Sequence, residues 1–201
     1  MKPPNKWFRW IRFLDRIHYF NREEPLVHKD HIEAMRSLAD PEAMKQFKYK
    51  QMHTTLNFEG VHPDIIKFWK SVHKAMKLRD IPVRAFELKR SHARQQELYD
   101  KGVSKAVPGQ SAHQYGCGID IIHAKKCWNL SKKQWDCMIA IQKECARKCN
   151  VKLISGDDWD FWDPAHWELK NWREICAPQI RVLTKKQLET QARLKTLWAK
   201  K

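Results

Sequence analysis

A chain of 201 residues fits one domain with extensions, or one domain with a small second one, and is long enough to bury a core. Its 39 Lys and Arg against 23 Asp and Glu give a formal net charge of +16, which points to an anionic partner: nucleic acid, lipid headgroups, lipopolysaccharide or cell-wall polyanions. No run approaches the ~20 apolar residues needed to span a bilayer, which argues against a transmembrane helix.

Residues 1–20 interleave Trp7, Trp10, Leu14 and Ile17 with Lys6, Arg9, Arg12 and Arg16. The apolar set keeps helical spacing, so a helix packed on the main domain is expected, with an interfacial membrane helix as the alternative. Behind Met1 there is no apolar stretch of the signal-peptide kind, so synthesis in a reducing cytoplasm is expected. The six cysteines (117, 127, 137, 145, 149 and 176) contain no CxxC pair and read as free thiols. Residues 21–55 read as one or two short polar helices, with Asp40-Pro41 opening one.

His62-Pro63 starts the next helix, with Pro at its favoured first position and an apolar stripe of Ile65, Trp69, Val72 and Met76. Residues 81–88 read as a strand, followed by Lys89-Arg90-Ser91, a short helix through 95–99 that stops at Gly102, and a loop over 104–110. Residues 119–122 form a strand in which one carboxylate, Asp120, stands among isoleucines. That is costly unless the charge is paired or bound to a metal. Ser131-Lys-Lys-Gln134 is a capping box, and the helix behind it buries Trp135, Met138, Ile139, Gln142 and Cys145. Residues 151–154 read as a strand, 155–159 as a sharp turn, and 163–169 as a segment running into another strand. A second capping box, Thr184-Lys-Lys-Gln187, opens a basic amphipathic helix. Residues 180–201 carry seven basic side chains against one acidic. Helices mixed with a few short strands, without internal repeats, indicate an α+β domain.

Two compact clusters carry the chemistry. Ser111-Ala-His113-Gln-Tyr-Gly116-Cys-Gly-Ile-Asp120 and Asp163-Pro-Ala-His166 together supply two imidazoles and two carboxylates. A catalytic zinc site uses three protein ligands and leaves a position for water. His113, Asp120 and His166 are the candidate ligands, and Asp163 is then left over to take the water's proton, with Asp160 as its rival. Arg90 is the candidate cation for an oxyanion; otherwise it is a surface arginine in a salt bridge. Ser111 reads as a structural hydroxyl, and Glu168 as an acceptor that orients a histidine. Trp159, Trp162 and Trp167 read as packing around the site, with substrate stacking by one of them as the alternative.

The ordered set Arg90-Ser91, Gln95, Leu98-Tyr99, Gly102-x-Ser104, Ser111-x-His113-Gln-Tyr-Gly116-x-Gly-x-Asp120, Gly156-Asp-Asp-Trp159 and Asp163-x-x-His166-x-Glu168 resembles the M15 metallopeptidases. These include phage L-alanyl-D-glutamate endopeptidase endolysins and D-Ala-D-Ala carboxypeptidases and dipeptidases, and they share a zinc-binding fold with the Hedgehog signalling domain. The resemblance spans about residues 56–175, and Gly60-Val-His-Pro63 also resembles the start of the phage-type domain. It implies a small central antiparallel sheet carrying the zinc site and flanked by helices. It also implies Zn2+ on His113, Asp120 and His166, Asp163 as base, and Arg90 against substrate or oxyanion. Gly118 stands where the family often has Ala, a change expected to be harmless. Asp163 stands where the dipeptidase branch has Glu, which points to the endolysin side.

Three segments follow: a basic, aromatic-rich helical extension over 1–55, the peptidase domain over 56–179, and the basic helix over 180–201. The expected activity is hydrolysis of the L-Ala–D-Glu bond of a peptidoglycan stem peptide by a monomer, made without a signal peptide and released to the wall through a partner such as a holin. Further expected partners are anionic envelope polymers or lipopolysaccharide, met by the basic helix, which otherwise is a solvated cap. The alternatives are a D-Ala-D-Ala carboxypeptidase and a non-catalytic, zinc-stabilised wall-binding module. No nucleic-acid motif accompanies the charge, so no nucleic-acid partner is expected.

Overall fold

The computed structural model describes residues 29–176. The helix expected over 1–20 and the basic helix expected from residue 184 onward lie outside the described residues. In chain order the elements are α1 (Lys29–Leu38), α2 (Pro41–Lys45), α3 (Phe47–Thr54), α4 (Pro63–Lys77), β1 (Val83–Glu87), α5 (His92–Asp100), a 3-10 turn (Ala112–Tyr115), β2 (Gly118–His123), α6 (Lys132–Cys149), β3 (Leu153–Ser155), a second 3-10 turn (Gly156–Asp158), β4 (His166–Leu169) and α7 (Trp172–Ile175). Where one or two helices were expected over 21–55, the described part alone holds three.

Local chemistry accounts for most of the boundaries. The Asp40 carboxylate accepts from the Ala43 N–H at the start of α2, and the His62 ring accepts from the Asp64 N–H at the start of α4. Ser131 and Gln134 make a reciprocal capping box on α6, which ends at Asn150 with φ of 52°. Strand β3 starts later than the expected residue 151 because the Val151 N–H is spent on the Ala146 carbonyl of the helix end, 3.0 Å away.

The four strands form one antiparallel sheet in the order β1-β2-β4-β3. This is the expected α+β arrangement. One face packs on α4 and α6. Ile65, Phe68, Val72, Met76, Trp135 and Met138 meet Val83, Ala85, Ile119, Ile121, Trp167 and Leu169 in a single buried cluster. Each such side chain contributes ~1.5–3 kcal/mol by leaving water. Helix α1 adds Ala34, Met35 and Leu38 to the same core. His123, given no role from sequence, is structural: it is buried, its Nε2 donates to the Leu38 carbonyl at 3.0 Å, and its Nδ1 accepts from the backbone of Lys126 at 3.0 Å.

The opposite face carries the polar groups. Register pairs Arg84 with Ile122, Glu87 with Asp120, Asp120 with His166, and Gly118 with Glu168. A bulge in β1 between Ala85 and Glu87 makes this possible. Strict alternation from Arg84 would turn Glu87 into the core; the extra residue, Phe86, turns it to the face that Asp120 occupies. Among the described residues no helix is long and apolar enough to cross a membrane, and all six cysteines are free.

Candidate metal centre

The 3-10 turn Ala112–Tyr115 lays His113 over the start of β2. Two glycines permit this. Gly116 ends the turn at φ of 68°, a left-handed conformation in which an added Cβ would collide with the Gly60 carbonyl oxygen. At Gly118 a Cβ would lie 3.2 Å from the His113 backbone nitrogen and 3.4 Å from its ring Cδ2. Glycine at 118 thus leaves room against a candidate ligand, where an alanine would ask the neighbouring backbone to give by a few tenths of an ångström. Asp120 comes from the middle of β2 and His166 opens β4, directly opposite it.

These three side chains converge. His113 Nε2 lies 3.1 Å from Asp120 Oδ1 and 3.1 Å from His166 Nδ1, and His166 Nδ1 lies 3.0 Å from Asp120 Oδ1. Both histidines are buried, at 2% and 6% exposure. Donors on one tetrahedral zinc, with bonds of about 2.0–2.1 Å, stand ~3.3 Å apart. The observed triangle is close to that.

The outer partners decide what the triangle presents at its centre. His113 Nδ1 lies 2.9 Å from the Leu88 carbonyl, which can only accept, so Nδ1 carries the proton and Nε2 presents a lone pair. His166 Nε2 donates to Glu168 Oε2 at 3.2 Å, and the other Glu168 oxygen accepts from the Trp172 indole at 3.0 Å. His166 therefore presents its Nδ1 lone pair. With both imidazoles neutral, two nitrogen lone pairs and a carboxylate oxygen face one point, and a cation satisfies all three at once. His113, Asp120 and His166 form a group that could hold a metal ion.

A proton competes for the same place. Burial works against the charged form of His166, but the hydrogen bonds to Asp120 and Glu168 outweigh it and push the pKa up to about 9. Burial also opposes charge on Asp120, yet the neighbouring His113 and His166 hold its carboxyl well below the usual range.

Asp163 follows the Gly156–Asp158 turn, and its carbonyl accepts from the His166 N–H at 3.2 Å. Burial, and then the charge of Asp120, raise its pKa. Asp163 and His166 flank Gly156 together: a Cβ added at Gly156 would stand 3.1 Å from the Asp163 Cβ and 3.2 Å from the His166 Cβ. Asp160 is exposed. Arg90 is 9% exposed, not a surface arginine. Its guanidinium donates to Gln95 Oε1 at 2.8 Å and to Glu87 Oε2, and stands 3.7 Å from Asp120 Oδ2. Gln95 in turn donates to Ser104 Oγ and the Ala106 carbonyl, at 2.9 and 2.7 Å, and so ties the 104–106 loop to Arg90. Ser111 is buried. Of the three tryptophans read as packing, Trp167 is in the core and Trp159 lies against His166 with ring centroids 5.0 Å apart. Trp162 does not pack: it is 45% exposed, with its indole donating to Asp157.

The chain matches no model of a known protein family and no curated protein. Among solved structures it is similar to the Serratia marcescens L-Ala D-Glu endopeptidase ChiX, with 26% identity and a TM-score of 0.47 over 57% of this chain and 84% of that one. A likeness of that score leaves the roles of the site residues to their own geometry.

Sequence reasoning missed Glu87, the Leu88 carbonyl and Trp172. Glu87 sits three residues before Arg90, an offset that is informative only once the bulge is known. Leu88 acts through its backbone, which no side-chain motif records.

Proposed function

We propose that this chain is a zinc-dependent peptidase of the M15 kind that hydrolyses the L-Ala–D-Glu bond of peptidoglycan stem peptides, in the role of a phage endolysin. The observation that carries the reading is the convergence of the three lone pairs of His113, Asp120 and His166 on one point. The choice of bond is supported by the phage-type segment Gly60-Val-His-Pro63 and by Asp, rather than Glu, at 163.

His113, Asp120 and His166 would hold the ion. A zinc ion in such a site supplies Lewis acidity and lowers the pKa of water towards ~7. Asp163 takes the proton of the attacking water and returns it to the nitrogen of the leaving amine. Burial and Asp120 raise its pKa in the metal-free protein, and the charge of a bound cation would oppose that rise. Arg90 places a fixed positive charge at the edge of the site, where it offsets charge developing on the carbonyl oxygen. The Leu88 carbonyl and Glu168 keep both imidazoles in the tautomers that face inward.

The test is digestion of purified sacculi with and without a chelator, read by mass. The reading expects muramic acid left with a free L-Ala carboxylate, and no release after chelation. Loss of terminal D-Ala instead would make the chain a carboxypeptidase. Binding to sacculi without new amino groups would make it a wall-binding module.

A further inference from the structure

The polar face of the sheet extends beyond the proposed metal ligands, and its far side holds a cation that the mechanism does not use. Arg84 pairs with Ile122 on β1–β2 and therefore shares the face of Asp120, which is two residues along β2. The two are diagonal neighbours, a relation that spaces residues ~7–8 Å apart. The Arg90 guanidinium, the cation beside Asp120, is already committed to Glu87 and Gln95. The Arg84 side chain has no ion pair or hydrogen bond among the described residues, and its Nε is shielded from solvent without a partner. It is nevertheless held in place. Its guanidinium lies over the Phe86 ring at 5.1 Å, and Phe86 meets Trp128 edge-on at 4.6 Å. Both rings are exposed, at 41% and 46%, beside the edge strand β1. A guanidinium stacked on an aromatic ring, half out of water and without an anion, is preorganised for a bidentate carboxylate.

Resting on the peptidase reading, we propose that Arg84 is a substrate-specificity residue, which receives the α-carboxylate of the D-Glu residue on the leaving side of the cut bond. That carboxylate sits on the carbon bonded to the scissile nitrogen, so it lies within about one residue's length, ~3.8 Å, of the reacting atoms. An arginine one diagonal away from a metal ligand spans the remaining distance with its side chain. The Phe86 and Trp128 rings cover the aliphatic part of the same residue.

The experiment uses the full chain and two peptides, L-Ala–γ-D-Glu–L-Lys with its free α-carboxylate and the same peptide with that group as a primary amide. The wild type is expected to favour the acid, with the difference in KM. Arg84→Gln is expected to raise KM for the acid roughly ten- to hundredfold, the loss of one charge-assisted contact, with kcat within a few-fold and the amide unaffected. Arg84→Lys should recover part of the preference. Lys70→Gln serves as the comparison, because Lys70 is an exposed residue of α4, which packs on the other face of the sheet. Equal cleavage of both peptides by the wild type, or loss of the preference in Lys70→Gln but not in Arg84→Gln, overturns the subsite and leaves the peptidase standing. Cleavage of neither peptide overturns the peptidase reading. Binding titrations on the Asp163→Asn background then judge the subsite alone: tighter binding of the acid that vanishes with Arg84→Gln supports it, and equal binding of both peptides refutes it.

Discussion

At the scale of single residues, the proposed mechanism separates groups that would hold an ion from a group that would move a proton. Asp163→Asn keeps nearly the same volume and removes the base. It is expected to retain the metal and lose turnover by about two to four orders of magnitude, the usual contribution of a general base. Metal analysis beside a rate assay checks this, and a near wild-type rate would show the base to be misassigned. Glu168→Gln leaves the Trp172 contact open to the amide oxygen but weakens the hold on His166 Nε2. Chelator competition should show roughly ten- to hundredfold weaker metal affinity. His166 also gives a pH signature. Its folded pKa, about 9, stands above the ordinary 6.5. In the metal-free protein its ion pair with Asp120 therefore contributes stability fully below pH 6.5, and that contribution fades as pH rises through 9. Denaturant melts of the chelated protein should show a loss of stability between those limits that the metal-loaded protein does not share. The candidate ligand Asp120 was legible in the sequence because a lone aspartate among isoleucines is too costly to bury without a cation or a charged partner, and His113 and His166 were legible through their offsets from carboxylates within the M15-like motif. The commitment of Arg90 to Glu87 and the freedom of Arg84 were not legible. Both depend on cross-strand register, and the residues involved are ordinary at their positions in the chain.

At the scale of elements, signals confined to a few neighbouring residues were readable and those set by distant partners were not. The capping box at Ser131–Gln134 and the Asp40 and His62 caps are written within a turn of chain, and they hold. The β1 bulge at Phe86 and the division of labour between exposed Trp162 and buried Trp167 come from pairing with β2 and β4. Gly116 shows how an element boundary supports the site. Gly116→Ala forces a Cβ into a left-handed turn and against Gly60, so a loss of about 2 kcal/mol or more is expected in urea melts, with weaker metal binding alongside. A second device joins α3 to α4. His53 stacks on His73 with centroids 4.1 Å apart, beside Tyr49 and Trp69. Burial first, then the charges of His73 and Lys77, lowers its pKa from 6.5 to about 4. The unfolded chain accepts that proton at higher pH than the folded one, so stability falls as pH drops from 6.5 towards 4. In His53→Phe the melts at pH 6.5 and pH 4.5 should differ less than in the wild type. An equal difference would remove this cluster from the acid response.

At the scale of the whole molecule, a formal charge of +16 is far more than the few carboxylates of a stem peptide require. Seven of the basic residues fall in 180–201, and we propose that this segment concentrates the enzyme on anionic envelope polymers. Truncation after Leu183 should reduce binding to whole envelopes, more at low salt than at moderate salt, because screening weakens long-range attraction. Unchanged binding at both salt levels would assign the segment no such part. The α+β class was readable from the alternation of helical and strand signals. The order β1-β2-β4-β3 was not, since nothing local specifies that β4 lies between β2 and β3. The whole account turns on three side chains meeting at one ion. The most direct test is the metal content of the purified full chain and of His113→Ala and His166→Ala, measured together with hydrolysis of stem peptides. One divalent ion per chain is expected in the wild type, with loss of ion and hydrolysis together in both variants. A metal-free wild type with full activity would contradict it.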